Sequence, residues 1–223
     1  MKSSPKENSL SESPENAATT SGVNLYAEAM EEIKFRAEQA HAALKKEIPF
    51  ARPDIRIEFV CLQIRKILEL IAFSSLVANK EKYAEAFTDY ANHWKANKIL
   101  KKIAEINPEF YPRPTEIKKE GDVINLYSKK AYEDGESTPL TIAEFEKLFD
   151  ECGIYLHVPE PFKIKPEKIL SFAPEKWIKK IALLLQDHTI YLVDDNRKWF
   201  VRMSGVNGRV EVADLGKGIT QSI

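Results

Sequence analysis

The chain has 223 residues, and its 33 basic and 34 acidic side chains leave a formal net charge of −1. With 43% hydrophobic and 30% charged residues it has a globular composition, long enough for one large domain or two small ones. That balance excludes a disordered, collagenous or disulfide-scaffold chain and supplies no global field to attract nucleic acid or an acidic membrane.

The opening segment MKSSPKENSLSESPENAATTSG is rich in Ser, Glu, Asn and Pro and has no apolar core of a signal peptide. With almost nothing to bury against its ordering entropy, residues 1–23 are expected to be a disordered tail. From Asn24 to about Glu47 the spacing of Leu25, Ala29, Ile33, Ala37, Ala40 and Leu44 predicts a first helix. Pro49 and Pro53 close it and open the next.

The second expected helix, Asp54 to about Ala78, is apolar on nearly every side, as a helix buried in a bundle should be. Its longest apolar run, Ile67 to Ala78, contains Glu69 and is too short to span a bilayer, so no membrane is expected among the partners. A third helical region runs from Lys80 to Ile106, with a break near Asn92 and an aromatic ridge of Tyr83, Phe87, Tyr90 and Trp94. Asn107-Pro108 ends it, which gives a helical domain over residues 24–107.

Residues 108–138, with Pro112, Pro114 and Gly121, read as a connector holding one short strand near Val123–Tyr127. The region 139–223 mixes both structures. Thr141 and Glu144 form a capping box for a helix to Cys152, with Gly153 placed as its terminal glycine and Ile154 to Val158 as either a short strand or a further helical turn. Pro174 opens a further helix through Leu185. Strands are expected at Thr189–Val193, Lys198–Met203 and Arg209–Ala213, the last two joined through Asn207-Gly208. The expected fold class is α+β, mainly α: an N-terminal helical bundle followed by a small domain with a three-stranded antiparallel meander.

Several polar residues stand out against this frame. Glu58, Arg65 and Glu69 fall within about 40° of one another around the second helix. A charge buried on so apolar a helix needs a partner, so the stripe is either a structural ion pair or the wall of a binding centre. Lys95, Lys98 and Lys102 form a basic row on the third helical region, either a solvated face or a contact for a phosphate backbone. His157, in CGIYLHVPEPF, is either a loop-capping histidine or a general acid/base. Cys61 and Cys152 lack metal-ligand or redox spacing and are expected to be reduced structural thiols of a cytoplasmic protein. The four histidines show no paired ligand spacing, and there is no Gly-rich phosphate loop and no GxSxG. No metal and no cofactor are therefore expected.

The run RIEFVCLQIRKILELIAFSSLVANKEKY, with INPEFYP and CGIYLHVPEPF, resembles bacterial helical proteins of the HEPN-like group over roughly residues 54–162. That resemblance implies either a partner-binding protein or a metal-independent endoribonuclease using an Arg-x4–6-His motif, commonly across a dimer. Arg36 and His41 fit Arg-x4-His, although in the first expected helix and with Ala37 after the arginine. In that alternative Arg36 would stabilise charge on the phosphorane, and His41, or else His157, would move protons. The leading expectation is a non-catalytic helical interaction module whose partner is another protein or RNA, with a homodimer as one form it takes.

Overall fold

The computed structural model describes residues 14–86, 96–121, 123–129, 138–158, 162, 170–171, 173–193 and 197–216. Four helices come first: α1 (Pro14–Leu44), α2 (Pro53–Ala78), α3 (Lys80–Ala86) and α4 (Ala96–Ile106). A hairpin of β1 (Arg113–Glu120) and β2 (Val123–Ser128) follows, then α5 (Ile142–Leu156) and α6 (Pro174–Leu185). The chain closes with β3 (Asp187–Tyr191), β4 (Lys198–Arg202) and β5 (Glu211–Leu215). The strands form one antiparallel sheet in the order β2-β1-β3-β4-β5. The fold is thus α+β and mainly α, but with one five-stranded sheet where a three-stranded meander and a separate short strand near Val123–Tyr127 were expected.

The additional strand is β1, which pairs with the expected connector strand β2. Gly121 takes a φ of 63° in the two-residue loop that lets Glu120 pair with Val123. Such a loop needs a positive φ at its first position, which a glycine adopts without a Cβ clash. The first helix also starts earlier than the sequence suggests, at Pro14 rather than Asn24. Proline is tolerated in a first turn, and Glu15, Ala17 and Ala18 suit the helix that follows. The expected tail therefore overlaps α1, and residues 1–13 lie outside the described part. So do Phe87, Tyr90 and Trp94 of the aromatic ridge, whereas Tyr83 is fully buried.

One buried cluster draws on both halves of the chain. Val60, Cys61, Ile64, Ile67, Leu68 and Ile71 make α2 its axis, with α1 and α5 packed alongside. The inward face of α1 is carried by Tyr26, Met30, Ile33 and Ala40, while Leu25, expected on that face, is 47% exposed. Tyr26 wins the inward position because it brings a large ring and a polar handle that finds a partner. Its hydroxyl lies 2.8 Å from His188 Nε2, and its ring meets Trp199 edge-on at 5.7 Å between centroids. Trp199 is thereby a core residue joining β4 to α1.

Polar side chains fix the ends of the helices. Thr141 and Glu144 form the capping box of α5, and Glu144 also receives Lys180 of α6 at 3.1 Å. Buried Lys180 donates further to Thr138 Oγ1 at 2.7 Å. Past α4, Asn107 donates to Asn79 Oδ1 at 2.9 Å and to the Tyr191 carbonyl at 2.8 Å. That pair ties the ends of α2 and α4 to β3.

Candidate functional site

Arg65 of the expected charged stripe turns out to join α2 to α5. Its guanidinium lies 3.8 Å above the Phe149 ring centroid, and Nη1 donates to the Phe149 carbonyl at 3.1 Å. Nε lies 3.5 Å from Glu69 Oε1, and Lys66 shares that carboxylate at 3.4 Å. Gly153 makes room for the guanidinium, since a Cβ there would stand 3.1 Å from Nη1. This corrects the expectation that Gly153 ends the helix: α5 continues through it to Leu156, and His157 is the C-cap. Glu58 is half-buried at the same helix surface. Beneath the clamp the two cysteines, distant in sequence, meet side by side. Cys152 shares a hydrogen bond with Cys61, and that contact together with burial pushes its thiol far up. Such thiols are held protonated and unreactive.

Arg36 and His41 do not come together. Arg36 donates to Gln63 Oε1 at 3.0 Å and pairs with Glu32 at 2.6 Å, so α1 and α2 share its charge. His41 is exposed five residues further on, about 140° round the helix. His157 is exposed beyond the end of α5 and meets neither. Of the basic row, Lys98 is exposed and Lys102 half-buried on α4, while Lys95 lies outside the described residues. Their neighbour Lys101 reaches Glu146 of α5 at 3.5 Å. Among the described residues no group of three or more His, Cys, Asp or Glu is placed to hold a metal. No described helix is long and apolar enough to cross a membrane.

The feature that sequence reasoning missed lies where the hairpin leaves the sheet. β1 pairs with β3 only at Arg113↔Thr189 and Pro114↔His188, whereas it stays paired with β2 from Thr115 to Glu120. The β1–β2 ribbon is therefore an arm, and an open cleft of about 520 Å³ lies at its root. Glu116 and Lys129 line the arm's side, and Asp187, Arg202 and Ser204 line the sheet's side. At the base Thr115 and Thr189 share a buried hydroxyl hydrogen bond of 2.8 Å, which anchors the arm. Across the cleft floor Arg202 Nε donates to Asp187 Oδ1 at 3.3 Å, and Lys118 lies 3.7 Å from Glu116. The lining carries two cations, Lys129 and Arg202, two carboxylates, Glu116 and Asp187, and the hydroxyls of Thr115 and Ser204. The arrangement offers charges of both signs to a bound surface. The legible signal for it was Gly121-Asp122, a hairpin dipeptide between two runs able to pair.

Compared with protein-family models, curated proteins and solved structures, the chain finds no match.

Proposed function

We propose that this chain is a non-catalytic interaction module that grips another protein in the cleft between the β1–β2 arm and the sheet. The observation that supports this reading is the charge balance of the cleft, with Lys129 and Arg202 set among Glu116 and Asp187. Complementary charges of both signs suit a protein surface and select its orientation. An RNA backbone instead rewards an excess of cations, which neither the cleft nor the chain as a whole provides. The proposal includes a cytoplasmic setting, in keeping with two unbridged thiols, and it requires no cofactor.

The ribonuclease alternative gains nothing from the geometry, because Arg36 is engaged by Glu32 and Gln63 and His41 leaves the helix on another side. The test compares the full chain with an Arg202→Glu variant in cross-linking and capture from cells of the native host. Capture of one protein partner, weakened about tenfold or more in the variant, is the expected result. Equal capture removes the cleft from the reading. RNA cleavage by the pure chain that persists in EDTA and vanishes in Arg36→Ala and His41→Ala overturns the non-catalytic proposal altogether.

A further inference from the structure

The two borders of the sheet are treated differently. At the β5 border α1 lies alongside, and Glu31 accepts from the Val210 N–H at 2.6 Å. β5 itself carries Glu211 and Asp214, the latter paired with Arg197 at 2.6 Å. β2 forms the opposite border, with no strand beyond it among the described residues. Val123–Ser128 contains no charged residue, no proline and no glycine, the features with which natural proteins guard an exposed edge.

The phase of the ladder says which backbone groups are free to pair. The Lys129 N–H donates to the Pro114 carbonyl at 2.9 Å, so the odd-numbered residues of β2 turn their backbone groups toward β1. By alternation Ile124, Leu126 and Ser128 turn theirs toward the open edge. The sequence along this edge has the same polarity in both directions about its middle residue: Val123-Ile124-Asn125-Leu126-Tyr127.

We propose that β2 pairs antiparallel with β2 of a second copy of this chain, with Asn125 on the two-fold axis, so that two five-stranded sheets become one. In this register Ile124 and Leu126 of the second copy exchange backbone N–H···O bonds, and symmetry repeats the exchange. Asn125 stands opposite its own counterpart, and Val123 stands level with Tyr127. Apolar residues oppose apolar ones and no like charges meet, the condition for a favourable cross-strand set. A foreign peptide would satisfy the same backbone groups, but an isologous contact needs a strand that complements itself, as this one does with apolar residues on both sides of Asn125. Pairing also covers Ile124, which is 59% exposed, and widens an arm that has only two strands beyond Pro114. The inference rests on β2 alone and does not depend on the cleft binding anything.

The test uses the full chain with single cysteines introduced into β2, oxidised mildly at micromolar concentration. Asn125→Cys places the two sulfurs on the axis, where opposed Cα atoms of a non-hydrogen-bonded pair lie about 4.5 Å apart, within disulfide reach. Ser128→Cys places them at opposite ends of the paired segment. The expected result is about tenfold more disulfide-linked dimer from Asn125→Cys than from Ser128→Cys. Native mass spectrometry should show a dimer that Ile124→Lys converts to a folded monomer. A wild-type monomer across the micromolar range overturns the proposal. So does a dimer that cross-links through Ser128→Cys as readily as through Asn125→Cys.

Discussion

Acidifying the protein from pH 7 toward pH 4 should destabilise it through one side chain in the middle of the core, His188. The Leu185 carbonyl can only accept, so His188 Nδ1 carries the proton and donates to it at 2.8 Å. In the neutral ring Nε2 then accepts from the Tyr26 hydroxyl at 2.8 Å. Burial disfavours the imidazolium and, opposed in part by the Leu185 hydrogen bond, lowers the pKa from 6.5 to about 4. The unfolded chain therefore takes up a proton as the pH falls through 6.5, while the folded chain does not until about 4. Stability is complete above 6.5 and is lost across that window. Lowering the pKa from 6.5 to about 4, at 1.36 kcal/mol per factor of ten, corresponds to about 3 kcal/mol. That is a large share of the 5–15 kcal/mol of a typical domain. Urea unfolding at half-unit steps from pH 7.5 to 4.5 measures the loss. The carboxylates of Glu31 and Glu144, both held low, begin to lose their contribution only around their ordinary 4.5, at the acid end of the window. A His188→Gln variant should start less stable and fall more gently across it. A variant with the wild-type slope would refute the assignment of the lost stability to this ring.

Other perturbations test the packing. Gly153→Ala should gain about 1 kcal/mol of helix propensity but lose more, because its Cβ crowds a guanidinium pinned on Phe149. In the Arg65→Ala background the same change should stabilise by about 1 kcal/mol, and a double-mutant cycle in urea reads the reversal of sign. Lys180→Met keeps the aliphatic stem but strips Thr138 and Glu144 of their donor, and should cost about 2–3 kcal/mol. A thermal midpoint unchanged by that substitution would show the contact to be idle. Asn107→Ala removes the hydrogen bonds that Asn107 donates to Asn79 Oδ1 and to the Tyr191 carbonyl and should cost a similar amount, about 2–3 kcal/mol. Hydrogen exchange should then speed up first where α4 meets β3, and uniform exchange would contradict the local role of this asparagine.

What could be read from the sequence was whatever is encoded locally. The capping box at Thr141 and Glu144, the proline at the start of α6 and the meander are each set by neighbours a few residues apart, and each appears in the structure. β1 was illegible because Arg113–Glu120 forms one side of an arm largely open to water, with one buried position and no apolar alternation. The cues were the strand near Val123–Tyr127 and the dipeptide Gly121-Asp122, which specifies a turn without specifying which segment pairs across it. The cleft was invisible for the same reason: Glu116 and Asp187 are brought together by the place where pairing stops, which no local pattern records.

Gly153 and Arg65 show how two such failures can belong to one contact. A glycine twelve residues after an N-cap is a reasonable helix end on local grounds, and an arginine on an apolar helix is a reasonable ion pair with the glutamate four residues on. Both readings leave something unexplained. Apolar Ile154, Tyr155 and Leu156 follow the glycine with no turn residue among them, and the Arg65–Glu69 separation of 3.5 Å is loose for a pair meant to settle a half-buried charge. The structure resolves both at once, since the bare Cα of one helix admits the stranded cation of the other to a carbonyl and a ring. A glycine followed by an apolar run without turn residues is therefore a reason to look for a bulky polar group elsewhere in the chain. An arginine without an adequate local partner is the group to look for.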